Sequence, residues 1–272
     1  MKLFKICCLI IGVQLAFVSC NKEENLAMDR ELVNASAMVD YSNEIDFKTG
    51  VDVTSDNAVY SDRNPNTNII NSCPTVTVNN TTPGVFPKVF TLNFGTGCMI
   101  NGVNRSGILT VTVSNYVMNY GSTMTIERNN YYINGVKVEG TVVYENTTTN
   151  AAIPQWNRTI TNGRITALDG TIYNHYGTRT VKQIAGVATL ALLDNIYEIS
   201  SGNHTIVKPN GATLTLTVVT PLIKKYACGY ISQGQLNLQG QVLDGILDYG
   251  DNTCDNLATY THSNGQVYNI TL

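Results

Sequence analysis

The chain has 272 residues, and its 17 Lys and Arg nearly balance its 20 Asp and Glu. This length can bury a substantial hydrophobic core, and all-β proteins of this size often form a single domain. The net charge of −3 and the lack of any basic block exclude the electrostatic footprint of a nucleic-acid-binding protein.

The first nineteen residues have the pattern of a signal peptide. Residues 1–5 are cationic, and residues 6–18 form a mostly apolar run that is too short to span a bilayer permanently. Phe17-Val18-Ser19-Cys20 resembles the lipobox of bacterial lipoproteins, although leucine is commonest where Phe17 stands. The resemblance implies cleavage before Cys20, diacylation of its thiol and a membrane as partner. The alternative is ordinary cleavage beside an incidental cysteine.

The residues that follow Cys20 predict the location and an acidic tether. Asn21-Lys22-Glu23-Glu24 resembles the lysine-and-acid tetrad that sends many Bacteroidota lipoproteins to the cell surface. We therefore expect an outer-membrane lipoprotein that faces outward, with a periplasm-facing anchor as second choice. Residues 21–62 carry three bases and ten acids (3 − 10 = −7), whereas residues 63–272 carry twelve bases and ten acids (12 − 10 = +2).

We interpret residues 20–72 as this lipidated, solvated tether. Loosely spaced apolar residues within 24–47 are compatible with a short N-terminal helix. Residues 48–72 are rich in Asn, Asp, Ser and Thr without periodicity, which is typical of a linker.

From Cys73 to the end, the sequence predicts an all-β body in one domain. Residues 108–113, 213–218 and 235–239 alternate between apolar and polar side chains. Asn-Gly or Asp-Gly pairs, which suit hairpin turns, begin at positions 101, 134, 162, 169, 210, 244 and 264. Parallel strands would need long crossovers, and no uninterrupted helical pattern supplies them. We predict an antiparallel meander of about a dozen strands, arranged as a curled sheet, a sandwich or a barrel-like sheet.

The cysteines predict two disulfides. Cys7 and Cys8 leave with the signal peptide and Cys20 carries lipid, so an even number remains in an oxidising compartment. Neither a CxxC pair nor a suitably spaced histidine indicates a zinc site. The remaining cysteines are Cys73, Cys98, Cys228 and Cys254.

A weak two-fold internal repeat indicates how these cysteines pair. Leu-Asn-Phe-Gly at 92–95 echoes Leu-Asp-Tyr-Gly at 247–250, and a cysteine follows each copy. The cysteine before each copy lies at a similar distance (98 − 73 = 25 and 254 − 228 = 26). Antiparallel pairing within each copy would bring its two cysteines into bonding distance, which favours 73–98 and 228–254. Links that cross between the halves are the alternative.

Several segments together resemble a family of Bacteroidota surface lipoproteins. They are residues 92–98, 131–141, 220–228 and 247–256, in this order. The resemblance covers roughly 73–272 and the leader. It implies the location and a β-rich body, but no activity and no catalytic residue.

The sequence gives little support for an enzyme. The histidines His175, His204 and His262 are far apart, no GxSxG motif is present, and we expect them to be polar surface residues. Glu139 and Glu145 could share one face of a strand, as the paired acids of a carbohydrate-active enzyme would. Two solvated acids on a strand are the simpler interpretation, so we predict no catalytic activity.

One turn could offer oxygen ligands to Ca²⁺, and no other cofactor is expected. Its spacing differs from that of an EF-hand loop, and turns use Asp and Asn in any case. The candidate ligands are Asp248, Asp251, Asn252 and Asp255.

Aromatic residues beside amides provide the best indication of binding. The chain has 15 Tyr and one Trp against six Phe, and these side chains combine an apolar plate with a polar edge. We therefore expect a non-catalytic binding or structural role, with a glycan or an envelope protein as partner. The alternative is a carrier that holds an apolar ligand inside a curled sheet. The candidate binding residues are Tyr131, Tyr132, Trp156, Tyr173 and Tyr176.

Overall fold

A computed structural model describes residues 22–56, 73–189 and 191–272, with side chains in the helix described for residues 31–54. The predicted leader and Cys20 lie outside the described residues. A helix of 35 residues, α1 (Lys22–Asp56), precedes all the strands, and one 3₁₀ turn (Leu192–Asp194) follows β8. The strands are β1 (Thr75–Val78), β2 (Lys88–Asn93), β3 (Cys98–Ile100), β4 (Val103–Val113), β5 (Thr123–Ile133), β6 (Val136–Asn146), β7 (Gln155–Thr166), β8 (Ile172–Ala185), β9 (Ile196–Val207), β10 (Thr213–Lys225), β11 (Gln233–Gly240), β12 (Asp244–Asp251), β13 (Leu257–His262) and β14 (Val267–Thr271).

The fourteen strands form one antiparallel sheet with meander topology. Their order is β1-β2-β4 and then every strand in sequence to β14, with β3 paired beside β4. In the described part of the chain, β1 and β14 do not pair with each other. The predicted all-β meander is therefore confirmed, and of the three arrangements considered the sheet adopts the curled one.

Alternation along the strands creates an inner face and an outer face. Leu109, Val111 and Val113 of β4 are fully buried, and Leu214 and Leu216 of β10 are buried in the same way. Their neighbours at odd spacing are partly exposed, as expected for a sheet with one face in the core. The strand predictions at 108–113, 213–218 and 235–239 are confirmed.

Most of the predicted turns connect adjacent strands. The pairs that begin at 101, 134, 169, 210 and 264 lie between consecutive strands. The pair Asn162-Gly163 instead lies inside β7, where Asn162 has a φ of 51° and the pairing register with β8 shifts. The pair Asp244-Gly245 begins β12. These two turn assignments were wrong because a bulge and a strand end also accept the same residues.

Glycines at irregularities in the ladder bend the sheet. Gly107 has a φ of 86°, the register of β4 with β5 shifts around it, and an added Cβ would lie 1.9 Å from the Asn130 carbonyl oxygen. Gly202 has a φ of 111°, and its Cβ would lie 2.1 Å from the Thr178 carbonyl oxygen. Bulges and glycine kinks of this kind increase twist and curvature. They allow one sheet to curl around another element.

That element is α1. Between residues 31 and 54 only Glu31 and Asn34 are exposed, and most other side chains are buried. The half-buried residues recur every three or four positions and therefore follow one stripe of the helix. They are Met38, Tyr41, Ile45, Lys48, Val51 and Asp52. The sheet covers the rest of the helix circumference, and this stripe faces the uncovered side.

The prediction of a solvated acidic tether is corrected by α1. Residues 32–54 belong to the core, and the segment 48–56, predicted as linker, continues the helix. The hydroxyl groups of Ser42, Thr49 and Thr54 donate to the carbonyl oxygens four residues earlier, so the helix satisfies them itself. The carboxylates of this segment find partners in the sheet, as described below. Burial of its polar groups is therefore compatible with a packed core.

Both predicted disulfides are present. Cys73 and Cys98 close the open end of the β1–β2 pair with a Cα–Cα distance of 5.8 Å. Cys228 and Cys254 close the β11–β12 pair with a distance of 5.7 Å. Each link constrains the unfolded chain and contributes about 2–4 kcal/mol to stability. The repeat thus corresponds to two similar disulfide-closed hairpins near the two edges of the sheet.

Candidate functional site

The sheet buries three of the five aromatic residues predicted to bind a ligand. Tyr131 is fully buried on the inner face, where its hydroxyl donates to Asp46 at 2.7 Å. The indole of Trp156 donates to the Val117 carbonyl at 3.1 Å. Tyr173 is also buried. Burial of these three rings does not support their prediction as binding residues, because their positions in the strand alternation place them in the core.

Tyr132 and Tyr176 lie on the outer face. Tyr132 is partly exposed, whereas 55% of the Tyr176 surface is accessible. Tyr176 lies near the middle of β8, and its neighbours Asn174 and Thr178 on the same face are exposed as well. Of the five predicted rings, Tyr176 is therefore the one that can stack against a ligand.

Tyr176 belongs to a shallow groove that we call the outer groove. Its cavity volume is about 730 Å³, and it runs across β7, β8 and β9. Gly163 and Gly177 lie in the lining, and each allows a close approach: an added Cβ would lie 2.4 Å from the ring of His175 and 2.4 Å from the Asn203 carbonyl oxygen, respectively. The exposed side chains of the outer groove are Thr161, Asn162, Arg164, Asn174, Tyr176, Thr178 and Asn203.

The outer groove is polar but carries little net charge. Its amides and hydroxyls can both donate and accept hydrogen bonds. The cation in its lining, Arg164, lies 3.7 Å from a carboxylate oxygen of Glu139, and Lys137 binds the other oxygen of that carboxylate at 2.9 Å. The groove therefore combines one aromatic plate with neutral polar groups.

A second polar site, which the sequence did not predict, joins α1 to the inner face of the sheet. It consists of the three buried carboxylates Asp40, Glu44 and Asp46 and four arginines on different strands. The arginines are Arg105 on β4, Arg128 on β5, Arg158 on β7 and Arg179 on β8. We call this set the helix–arginine network.

Asp46 is the most heavily engaged acid of the network. One of its oxygens accepts from Arg128 Nε at 2.8 Å, and the other lies 3.4 Å from Arg105 Nη2. The hydroxyl of Tyr131 donates to that second oxygen. Burial raises the pKa of Tyr131 well above its usual value, and the neighbouring carboxylate raises it further. The phenol therefore stays protonated and acts as a donor.

Asp40 and Glu44 face other strands. Asp40 Oδ1 accepts from Arg179 Nη1 at 2.7 Å, and its other oxygen accepts from the hydroxyl of Tyr249 at 3.4 Å. Glu44 Oε1 lies 3.4 Å from Arg158 Nη1. Because an α-helix turns by about 100° per residue, Asp46 lies on a different side of α1 from Asp40 and Glu44. The acids can all be paired only because the sheet curls around α1.

Two of the three histidines are buried beside this network, which corrects their assignment to the surface. The rings of His175 and His204 are 5.2 Å apart, and both residues are 2% exposed. Burial, and then the charges of Arg128 and Arg158, lower the pKa of His175 to about 3. Burial, Arg179 and His175 lower the pKa of His204 well below its usual value. Both rings are neutral at pH 7 and are shielded from any substrate in bulk solvent.

The remaining predicted residues do not form a site. Glu139 is engaged in ion pairs, and Glu145 is exposed at the other end of β6. The third histidine, His262, forms a hydrogen bond between its Nδ1 and the hydroxyl of Tyr260 at 2.9 Å. These positions provide no cleft with two converging acids in the described residues.

The predicted calcium ligands are engaged in hydrogen bonds with residues of their own turn and with residues in or next to β11. Asp248 accepts from Gln235 and from the Gly250 amide, and Asp251 accepts from Thr253. Asn252 accepts from Ser232, and Asp255 accepts from the Leu257 amide. Within the ranges that the structure describes, no group of three or more His, Cys, Asp or Glu could hold a metal. This geometry does not support the calcium hypothesis.

The inner face is filled, and comparison with known proteins adds no further assignment. A carrier would need an empty inner face, but α1 occupies it along residues 32–54. None of the helices in the described ranges combines the length and apolar character needed to cross a membrane. No protein-family model, curated protein or solved structure matches the chain.

Proposed function

We propose that this chain is a lipid-anchored protein of the outer membrane, displayed on the cell surface, that binds a glycan through the outer groove. The observation that carries the proposal is the exposed ring of Tyr176 among exposed amides and hydroxyls. A sugar ring has an apolar face that stacks on an aromatic plate and hydroxyls that pair with polar groups at its rim. The role is one of binding, without catalysis.

The charge of the outer groove favours an uncharged saccharide. Arg164 shares the carboxylate of Glu139 with Lys137, so its positive charge is partly compensated. The other exposed groups, including Asn162, Asn174 and Asn203, are neutral. The groove is also open, which suits a segment of a longer chain better than a fully enclosed small molecule.

The proposed anchor and the fold are compatible. Phe17-Val18-Ser19-Cys20 supports lipid attachment at Cys20, and the tetrad that follows supports a place among Bacteroidota surface lipoproteins. α1 begins at Lys22, and Leu32 is already buried in the core only ten residues later (32 − 22 = 10), about 15 Å along the helix. The proposed anchor would therefore hold the β body close to the membrane, in place of the fifty-residue spacer expected from the sequence.

Replacing Tyr176 by alanine is expected to weaken glycan binding about tenfold, because the variant loses the stacking surface. A glycan array probed with residues 21–272 identifies the saccharide, and calorimetry then compares the two proteins. Tyr120→Ala is the matched control, since Tyr120 is also exposed but lies outside the groove. A blank array, or equal losses in both variants, would reject glycan binding at this groove.

Replacing Cys20 by alanine is expected to release the protein from the membrane fraction, because the acyl chains can no longer be attached. Each buried CH₂ of those chains contributes about 0.8 kcal/mol to membrane attachment. Cell fractionation and mass spectrometry of the mature amino terminus measure this change. Firm attachment of the alanine variant would contradict lipid anchoring without affecting the glycan test, which uses the unlipidated chain.

A further inference from the structure

The inner face of β5 and β7–β9 carries a group of basic side chains that we call the cationic cluster. It consists of Arg128, Arg158, Arg179, His175 and His204, and the three arginine side chains are at most 2% exposed. Arg158 and Arg179 are direct cross-strand partners. Like charges in directly opposed positions of a sheet repel each other, so this arrangement needs compensation.

The pairing with α1 leaves part of the cluster without partners. Arg128 Nη1, and Nε and Nη2 of Arg179, are buried and have no hydrogen-bond partner among the described residues. The same is true of both ring nitrogens of His175 and of Nε2 of His204. A guanidinium group can only donate, and a neutral imidazole offers one acceptor and one donor. The free guanidinium N–H groups and the imidazole N–H groups all need acceptors, so a partner for them must accept hydrogen bonds from several directions.

The charges of the network indicate whether that partner is positively or negatively charged. Four buried arginines face three buried carboxylates, which leaves an excess of one positive charge (4 − 3 = +1), since Arg105 and Arg128 share Asp46. Lys224 on β10 is a further buried basic group, so this part of the core carries at least one positive charge in excess. An uncompensated charge in a core strongly destabilises the folded state. Water would satisfy the donors but would leave the charge.

We propose that the cationic cluster binds one small monovalent anion, chloride, in the interior of the curled sheet. The anion accepts from the free guanidinium N–H groups of Arg128 and Arg179 and from the N–H of His204. It offsets one of the excess positive charges buried in this region. This site lies on the inner face, behind the outer groove, whose lining also includes His175, and the proposal does not depend on glycan binding.

Thermal unfolding in chloride tests the proposal. At constant ionic strength, with gluconate as the replacement anion, Tm is expected to rise by about 4 °C for each tenfold increase in chloride above its Kd. Arg105→Met removes one buried positive charge without changing the cluster itself, and its Tm is expected to depend less on chloride. Lys182→Met removes a partly exposed outer-face charge and should retain the full chloride dependence.

A crystal grown in bromide decides the matter directly, even if Arg105→Met fails to fold. The proposal expects one anomalous peak within hydrogen-bonding distance of Arg179 and His204 in the unaltered protein. Ordered water at this position, or a Tm that responds equally in all proteins, would overturn it.

Discussion

Replacing Asp46 by asparagine is expected to lower the free energy of unfolding by about 3–5 kcal/mol, because the variant leaves buried arginines without their carboxylate. Asp46 is completely buried, and it contacts Arg105, Arg128 and Tyr131. The amide keeps the shape but has only one acceptor oxygen, so the loss reports the missing charge and the missing acceptor and not a cavity. Urea denaturation of the two proteins at pH 7 measures the difference.

Glu31→Gln is the matched control for this experiment. Glu31 lies on the same helix and pairs with Lys208, but 53% of its side chain is exposed. Exposed ion pairs contribute about 0–1 kcal/mol, so this variant should remain close to the unaltered protein. A loss below about 1 kcal/mol for Asp46→Asn would mean that α1 does not anchor its acids in the sheet as described.

The second large effect is a loss of stability in mild acid that depends on the buried histidines. Burial lowers the pKa of His175 to about 3 in the folded protein, whereas an unfolded histidine titrates near 6.5. Above pH 6.5 both states are neutral and the histidine has no effect. As the pH falls below 6.5, the unfolded state takes up the proton first, so stability decreases until the pH reaches about 3.

At pH 5 the expected loss from His175 alone is about 2 kcal/mol. His204, whose pKa is also lowered by burial, adds a loss of the same sign. The double variant His175→Asn/His204→Asn retains every carboxylate, so subtraction of its pH profile isolates the histidines. Unfolding free energies measured at intervals from pH 7 to 4.5 give both profiles. Parallel profiles would show that the imidazoles are not buried as neutral groups.

The strands and hairpins could be predicted because their information is local. Alternation in residues 108–113 requires only that every second side chain meets the same core, and Leu109 and Val111 do so. The disulfide-closed hairpins followed from cysteine spacing and from the repeated aromatic-Gly turn, whose Phe94 and Tyr249 are both buried. The pair at 162 failed because Asn-Gly permits a bulge as well as a turn.

The expected N-terminal helix is present, but its length and its burial could not be predicted by the same means, because its partners are remote in sequence. Asp46 is 59 residues from Arg105, and Asp40 is 139 residues from Arg179. An acidic segment without a single apolar face looks like a tether when the curled sheet that pairs its carboxylates is unknown. Burial on nearly every side removes the one-sided pattern by which a surface helix is recognised.

One signal in the strands could have revealed the helix–arginine network. Arg158 occupies an inward-facing position of β7, between the buried residues Trp156 and Ile160 on the same face. Arg179 stands two residues before the buried Val181 in the same way. A basic residue at a core position requires a buried acid as its partner. The segment with an excess of acidic residues is 21–62, near the N terminus. Three of the aromatic binding candidates proved to be buried for a related reason. Whether a tyrosine is exposed depends on which face of its strand it occupies, and composition does not reveal this.

Hydrogen exchange of the α1 amides tests most directly whether the sheet is curled around an acidic helix. With mass-spectrometric detection on the mature protein at pH 7, residues 32–54 are expected to exchange as slowly as β4–β10. Amides of a packed core open only with the larger cooperative unit, whereas a solvated segment exchanges through local fluctuation. Rapid exchange throughout 32–54 beside protected strands would contradict the account.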